Sequence, residues 1–395
     1  MTSVITAVLV AAGIVLLVPS TVLLIEVLAG LLPARRRASE ISGFRPRMAV
    51  LVPAHDEALV IADTLRGIRR QLSPNDRLVV IADNCTDNTA QIAETAGAEV
   101  VRRQDATLRG KSYALDFGMH HLAQSPPDVV IIVDADCGLD PGCLETIATA
   151  AFFSGRPVQA HYELLSPDGV SSPRLGIAVF AAKVKNFLRP LGLDRLGLPC
   201  QLMGTGMAFP WRVISQMDLK SGELTEDLVL GLDLARAGAA PVFSPTARVT
   251  SAFPMSAEGT KTQRARWETG HLTTIFYRVP GQLWDALRHG NWRLMALAMD
   301  AAVPPLALHA LLLTALFSLS LIAAVTFGTL APLALSATAA ALFGLSIALA
   351  WVKVGREAVS MTELAKAPIY VLLKIPLYVQ ILSGKHISWI RSKRD

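Results

Sequence analysis

From about Val4 to Leu32 the chain is apolar, with Glu26 as its sole charge, more than enough to cross a bilayer core of roughly 30 Å. Comparable runs return only near the C-terminus, from about Leu294 to Phe327 and from Leu330 to Val352, around an uncharged Gly-Thr-Leu-Ala-Pro link. They predict a transmembrane hairpin. A last stretch, 364–382, carries Lys366 and Lys374 together with Pro368 and Pro376, and reads as an interfacial amphipathic segment rather than a span. Between about Phe44 and Pro280 short β-rich runs alternate with helix-like segments, the pattern of a parallel α/β sheet. The expected organisation is an anchor and basic linker over 1–43, a catalytic domain over 44–290, a hairpin over 291–355 and an interfacial segment with a basic tail over 356–395.

Charge orients this arrangement. Arg35, Arg36 and Arg37 follow the first apolar run, Arg288 and Arg293 precede the hairpin, and Lys353 and Arg356 follow it. Under the positive-inside rule all these ends, and the domain between them, lie in the cytoplasm. A cleaved signal peptide fits poorly, because no basic residue precedes the first run and the arginines come after it. The net charge of +5 could suggest nucleic acid, but the basic residues sit beside apolar runs, including Arg391, Lys393 and Arg394, so no nucleic-acid partner is expected. Hydrophobic residues make up 52% of the chain, too many for an ordinary soluble enzyme. The four cysteines lack zinc-type pairing and fall in the expected cytoplasmic region, where disulfides are rare.

Three apolar runs end in carboxylates: Met48–Pro53 in Ala-His-Asp-Glu, Arg77–Ala82 in Asp-Asn-Cys-Thr-Asp, and Val129–Val133 in Asp134-Ala-Asp136. Ligands of open parallel sheets bind beyond the carboxyl ends of the strands, so these acids should converge on one crevice. No G-x-G-x-x-G follows any strand, which weakens a dehydrogenase reading. On extended backbone, Asp134 and Asp136 would share one side and suit Mg²⁺ or Mn²⁺, which would neutralise a diphosphate leaving group. A solvated strand-end turn is the alternative.

Two further motifs, Thr225-Glu226-Asp227 and Gln263-Arg264-Ala265-Arg266-Trp267, decide between them. With the Pro-Ala-His-Asp-Glu opening, Asp83-Asn84-Cys85-Thr86-Asp87, Gly110-Lys111-Ser112-Tyr113-Ala114-Leu115 and Gly204-Thr205-Gly206, they occur in the order seen in glycosyltransferase family 2. Over nearly its whole length the chain resembles the membrane group of that family that contains cellulose, hyaluronan, chitin and poly-N-acetylglucosamine synthases.

The resemblance implies a nucleotide-sugar-binding GT-A domain with transmembrane helices at both ends, in the cytoplasmic membrane of a bacterium. Asp83 would contact the nucleotide base and Glu57 would close the nucleotide pocket. Lys111 would lie near the diphosphate, Asp134 toward the nucleotide, and Asp136 would be the principal metal ligand, with Asp134 beside it. Asp227, with Glu226, would be the catalytic pair, Asp227 as the general base that deprotonates an acceptor hydroxyl with inversion at the anomeric carbon. The bland reading of Glu226 and Asp227, the acidic first turn of a helix capped by Thr225, is compatible with it. Gln263, Arg266 and Trp267 would share a helix face and hold the diphosphate and acceptor sugar, and Gly204 and Thr205 would let backbone approach a sugar. His120, His121, Cys137 with Cys143, and His309 are expected to be structural, and Glu26 and Asp300 to snorkel at the interface.

His55-Asp56 and Ala82-Asp83-Asn84 depart from the commoner family pattern, so uridine is the favoured base and guanosine the alternative. The Q-x-x-R-W motif usually accompanies processive synthesis, whereas three spans are fewer than a polysaccharide channel needs. Single addition to a lipid-linked or glycan acceptor is therefore placed ahead of processive synthesis, with a homo-oligomer or an export partner able to reverse that order. A noncatalytic nucleotide-sugar sensor or export subunit is the reading from another class, against which the intact motifs argue.

Overall fold

The computed structural model describes residues 2–33, 44–167, 172–255 and 257–382. Helix α1 (Thr2–Leu31) leads into β1 (Met48–Ala54), α2 (Ile61–Arg69), β2 (Arg77–Asp83), α3 (Thr89–Thr95), β3 (Glu99–Arg103), α4 (Lys111–Leu122) and β4 (Val129–Ile132). There follow β5 (Gly138–Leu139), α5 (Cys143–Ser154), β6 (Val158–Leu165), α6 (Pro173–Lys183), a π-helical turn (Val184–Leu188), α7 (Arg189–Leu196), β7 (Met207–Pro210), α8 (Trp211–Ile214), α9 (Glu226–Arg236) and β8 (Val242–Ala252). The C-terminal part is helical: α10 (Ala257–Tyr277), α11 (Val279–His289), α12 (Trp292–Ala301), α13 (Leu306–Phe327), α14 (Leu330–Ala350), a second π-helical turn (Trp351–Gly355), α15 (Met361–Leu364), α16 (Ala367–Leu372) and α17 (Ile375–Leu382).

The strands form one sheet in the order β3-β2-β1-β4-β7-β6-β8-β5. β3, β2, β1 and β4 are parallel, with Leu51 in register with both Val79 and Ile132. β7 runs antiparallel to β4 and β6, β6 and β8 are parallel, and the two-residue β5 closes the far edge antiparallel to β8. β1, β2 and β4 read as unbroken apolar runs because helices cover both faces. Val50, Val52 and Ile131 pack with Leu65 and Ile68 of α2 and Ile147 of α5, while Leu51, Ile81 and Ile132 pack with Leu115 and Leu122 of α4 and with Phe209. The expectation of a mainly parallel sheet flanked by helices is met.

Among the described residues three helices are long and apolar enough to cross a membrane: Thr2–Leu31, Leu306–Phe327 and Leu330–Gly355. Leu23 and Val27 of α1 meet Val303, just before α13, and Ala350, at the end of α14, in one cluster, while Leu9 near the start of α1 packs with Leu316 and Ala323 of α13. The hairpin therefore starts and ends beside the C-terminal end of α1. The expected second span is shorter than the apolar run that suggested it. The helix breaks at Pro304-Pro305, where proline removes a backbone donor. The preceding α12 is capped by Asn291, whose Oδ1 accepts from Leu294 N at 3.0 Å, and buries Leu294 and Leu297 against Leu232 and Ala235 of α9. Residues 361–382 form three short helices interrupted near Pro368 and Pro376, with Ile369, Leu372, Leu373 and Val379 exposed. The basic clusters at 35–37 and 391–394 lie outside the described residues.

Glu26 and Asp300 do not snorkel. Both are buried and joined by Arg189 of α7, whose Nε donates to Glu26 Oε2 at 2.6 Å and whose Nη2 donates to Asp300 Oδ1 at 2.5 Å and to the Asp300 carbonyl at 2.8 Å. Gln201 donates to the second Asp300 oxygen at 2.9 Å. Backbones approach closely here, since a Cβ on Gly192 would stand 1.9 Å from the Glu26 carbonyl oxygen. α1 is thus built into the globular part rather than tethered to it. His309 is likewise structural, with its Nε2 3.0 Å from Ser20 Oγ.

Candidate active site

The ends of β1, β2 and β4 form the floor of a crevice, as three adjacent parallel strands must. At the first two ends the chain turns through the left-handed region, at Asp56 (φ 53°) and Asn84 (φ 52°), residue types that tolerate it. The Asp56 carboxylate accepts from Thr86 N at 2.6 Å and Asp87 N at 3.2 Å, and the Asp87 carboxylate accepts from Ala58 N at 3.1 Å and Thr89 N at 2.9 Å. Burial opposes ionisation of Asp56, but the bonds from Thr86 and the nearby His55 win and hold its carboxyl below the usual range. Glu57 opens the next turn, with its N–H donating to Thr89 Oγ1 at 2.7 Å. Asp83 is buried against Arg103, Nη1 to Oδ1 at 2.6 Å, and Arg103 also donates to the Leu108 carbonyl at 2.6 Å. The carboxylate expected at the nucleotide base is therefore already braced by a cation from the neighbouring edge strand β3, a partner the sequence motif did not reveal.

Lys111, the first residue of α4, is the hub of the crevice. Its Nζ donates to Asp134 Oδ1 and, at 2.7 Å, to the Gly204 carbonyl. Burial alone would lower the Lys111 pKa, but the negative charges of Asp134, Glu226 and Asp227 outweigh it and raise the pKa. β4 ends at Ile132, so Asp134 and Asp136 sit in a loop, and the strand alternation expected to align them does not apply. The Asp134 N–H donates to Thr205 Oγ1 at 3.1 Å, and Asp136 Oδ2 accepts from Ser251 Oγ of β8 at 2.8 Å. Gly204 and Gly206 both have positive φ, and a Cβ on Gly204 would lie 3.4 Å from Asp227 Oδ2 and 3.5 Å from Lys111 Nζ. The Gly204–Gly206 turn thus lies against both Lys111 and the T-E-D acid Asp227.

Glu226 and Asp227 form the first turn of α9. Thr225 occupies the cap position without a side-chain cap bond; its hydroxyl lies 3.3 Å from that of Thr274 on α10. The expected cap gives way to a tie between α9 and α10, which pass closely enough that a Cβ on Gly270 would meet Thr225 Cγ2 at 2.6 Å. Burial and the adjacent Asp227 charge push Glu226 up to about 7, against the pull of Lys111. Burial also raises Asp227, opposed by Lys111, by the Leu228 N–H at 2.9 Å and by Lys185. A half-buried carboxyl pair with raised pKa values at a helix N-terminus, one of them poised near neutral pH, is equipped for proton transfer.

The Q-x-x-R-W residues lie on α10. Gln263 is buried with its Oε1 unpartnered, while Trp267 packs beside Leu164, Leu175 and Phe253. The indole is thus held within an apolar cluster, Arg266 is half-buried, and α10 is fixed further by His271, 2.9 Å from the Ala301 carbonyl, and by an ion pair between Glu268 and Lys374. Lys185, on the π-helical turn, was not singled out by any motif. Burial lowers its pKa, against the charges of Asp227, Asp300 and Glu268, yet its side chain remains accessible to water.

Two oxygen-rich sets could receive a cation. The ligand atoms of Asp56, Cys85 and Asp87 lie within 4.8 Å of one another, but the carboxylates already serve backbone donors and burial raises the Cys85 thiol, which keeps its proton. Asp134 and Asp136, with the Thr205 and Ser251 hydroxyls beside them, offer hard oxygen donors near Glu226 and Asp227 and fit Mg²⁺ or Mn²⁺ better.

Residues 46–270 match the family described as Glycosyltransferase like family 2. The chain belongs to this family. A probable glycosyltransferase, YdaM, of Bacillus subtilis (strain 168) is 35% identical over 99 residues, and protein RfbJ of Shigella flexneri is 30% identical over 89 residues. These matches take in 23% and 22% of the chain, and 23% and 64% of the two relatives. In fold, the chain is similar to the mannosyltransferase PcManGT of Pyrobaculum calidifontis, solved with GDP-Man and Mn²⁺, with a TM-score of 0.57 and 19% identity over 98% of this chain and all of that one. The α/β domain of this family 2 member is accordingly of the GT-A type, with apolar helices before and after it.

Proposed function

We propose that the chain is an inverting membrane glycosyltransferase that moves a sugar from a nucleotide-diphosphate donor, with Mg²⁺ or Mn²⁺, onto a hydroxyl of a lipid-linked acceptor. The observation that carries this reading is the convergence of three separate motifs on one ammonium group, with Lys111 bonded to Asp134 and to the Gly204 carbonyl while it answers the charges of Glu226 and Asp227.

The nucleotide lies over the β1 and β2 ends, near Glu57 and Asp83, and the diphosphate lies toward Lys111. A divalent cation held by Asp134 and Asp136 supplies charge neutralisation for the leaving diphosphate. Asp227 holds the acceptor hydroxyl and takes its proton as the oxygen attacks the anomeric carbon; the bond from that carbon to the diphosphate oxygen breaks, and the nucleoside diphosphate departs with the bonding pair. One displacement inverts the centre, so an α-linked donor gives a β-linked product. Glu226, pushed up to about 7 by burial and by the charge of Asp227, stands protonated beside the base as Asp227 ionises. The buried Gln263 and the half-buried Arg266 and Trp267 line the acceptor side of α10. Three spans support single addition rather than a self-contained polymer channel, and the chain orientation argued from its arginines puts the reaction at the cytoplasmic face.

The test is nucleoside-diphosphate release by the purified protein in lipid, with UDP- and GDP-sugars and either metal. One donor should support release that chelation abolishes and that Asp136→Asn lowers by at least about a hundredfold. Equal release by wild type and Asp136→Asn would remove the metal assignment, and no release from any donor, even with membrane lipid extract as acceptor, would remove the enzymatic reading.

A further inference from the structure

The reaction above uses one lysine, and the crevice contains two. Lys185 lies one helical turn before Arg189, whose guanidinium meets Asp300, and its charge reaches Asp227. Asp227 feels both lysines, whereas Glu226 feels Lys111 and Asp134 on the donor side. Lys185 is exposed to water, although the protein packed around it lowers its pKa. It forms no hydrogen bond or ion pair among the described residues.

The neighbouring carboxylates are already committed. Asp300 is taken by Arg189, one helical turn after Lys185, and by Gln201; Glu268 is taken by Lys374. The charges of Asp227 and Lys185 act on each other, but the two are not ion-paired among the described residues. A water-exposed ammonium with no hydrogen-bonded counter-ion is open to an anionic ligand, to which it can donate charge-assisted hydrogen bonds.

The location says from where such a ligand arrives. On either side of Lys185, Val184 and Leu188 pack with Leu23 and Val27 of α1 and with Val303 at the foot of α13, and Phe187 stacks on His161 at 4.3 Å between ring centroids. The π-helical turn, an irregularity often found at functional positions, thus carries Lys185 to the point where the crevice meets the spanning helices. Resting on the glycosyltransferase reading, we propose that Lys185 binds the phosphate of the acceptor, and that the acceptor is a membrane phospholipid or lipid phosphodiester whose accepting hydroxyl lies a few bonds from that phosphate. The phosphate meets the Lys185 ammonium while the hydroxyl reaches Asp227, so the lysine fixes which hydroxyl is glycosylated without taking part in proton transfer.

The test uses the full chain in phosphatidylcholine vesicles doped either with phosphatidylglycerol, which has a hydroxyl and a phosphate, or with diacylglycerol, which has a hydroxyl alone. Labelled sugar transfer is followed at varied donor and lipid concentrations. Lys185→Ala should raise the KM for phosphatidylglycerol by about 10- to 100-fold, the worth of one charge-assisted hydrogen bond. The donor KM should follow that of wild type, and Lys185→Arg should recover most of the acceptor affinity. Inorganic phosphate should compete with phosphatidylglycerol in wild type and not in Lys185→Ala, which separates a phosphate site from a lipid-packing effect. A matching rise in donor KM, an equal effect on both lipids, or phosphate inhibition that survives in Lys185→Ala would overturn the proposal. Donor-dependent nucleotide release with no transfer to phosphatidylglycerol would overturn it as well while leaving the enzyme reading intact; loss of nucleotide release from wild type would instead strike at that reading.

Discussion

Replacing Arg189 with methionine removes both ion-pair contacts that join α1, α7 and α12, at 2.6 Å to Glu26 and 2.5 Å to Asp300, and leaves two carboxylates buried without a cation. A well-packed apolar substitute does not compensate, because breaking a buried pair from one side costs about 3–5 kcal/mol. Gln201 can still serve one Asp300 oxygen, but Glu26 Oε1 already lacks a partner among the described residues, so the cost falls on the contact between α1 and α7. If that contact opens as a unit, its opening equilibrium shifts by roughly a hundred- to several-thousand-fold. Hydrogen exchange of the α7 amides in lipid nanodiscs, read by mass spectrometry, should accelerate accordingly, while the amides of β1 and β4 keep their wild-type rates. Neutralising all three groups, in Glu26→Gln/Arg189→Met/Asp300→Asn, should recover most of the protection. Exchange of α7 that stays within a few-fold of wild type in Arg189→Met, or a triple variant as exposed as the single one, would refute the claim that charge pairing docks the anchor.

The same junction and the same crevice give three further expectations. Gly192→Val places a Cβ where the Glu26 carbonyl oxygen stands, backbone against backbone, and should lower stability by at least about 1–3 kcal/mol; an unchanged thermal unfolding midpoint in detergent would contradict the close approach. Asp227→Asn should lower sugar transfer by about 10²–10⁴-fold while donor binding, measured by calorimetry, stays near that of wild type; a parallel loss of both would make Asp227 a donor ligand instead of a base. Glu226 is pushed up to about 7 partly by the charge of Asp227, so it still holds its proton as Asp227 ionises, and Glu226→Gln should leave the acidic limb of the pH profile of transfer in place; a limb displaced by a pH unit or more would contradict that order of ionisation.

Much of the crevice was legible because it lies where apolar strands stop. An unbroken run such as Val129–Val133 has one role in an α/β sheet, and an acid directly after it must emerge at the strand's carboxyl end. Lys111, Asp134 and Gly204 could be grouped in advance because each belongs to a motif, although the bonds joining them cross 23 and 93 residues of sequence. Arg103 and Arg189 could not. Their partners are set by tertiary packing, and the Arg189 contacts span 163 and 111 residues with no motif at either end. Glu26 and Asp300 were consequently read one at a time, and a lone carboxylate near a membrane can be given no better partner than the interface. The start of α13 was misplaced for a different reason: total hydropathy carried the reading from Leu294 onward, although Pro304-Pro305 marks the break and Leu294, Leu297, Ala298 and Ala301 already follow helical spacing onto one buried face. Lys185 gave no signal at all, since a lone lysine in a helical stretch looks like any solvated surface residue until the fold brings its charge to bear on Asp227.

The most direct test of the central claim is the anomeric configuration of the product, read by proton NMR after the purified protein has transferred sugar from an α-linked nucleotide donor to lipid. Direct displacement at the crevice between Lys111 and Asp227 predicts a β-linked sugar, formed by wild type and absent with Asp227→Asn. An α-linked product, or a β-linked product made equally well without the Asp227 carboxylate, would contradict the account.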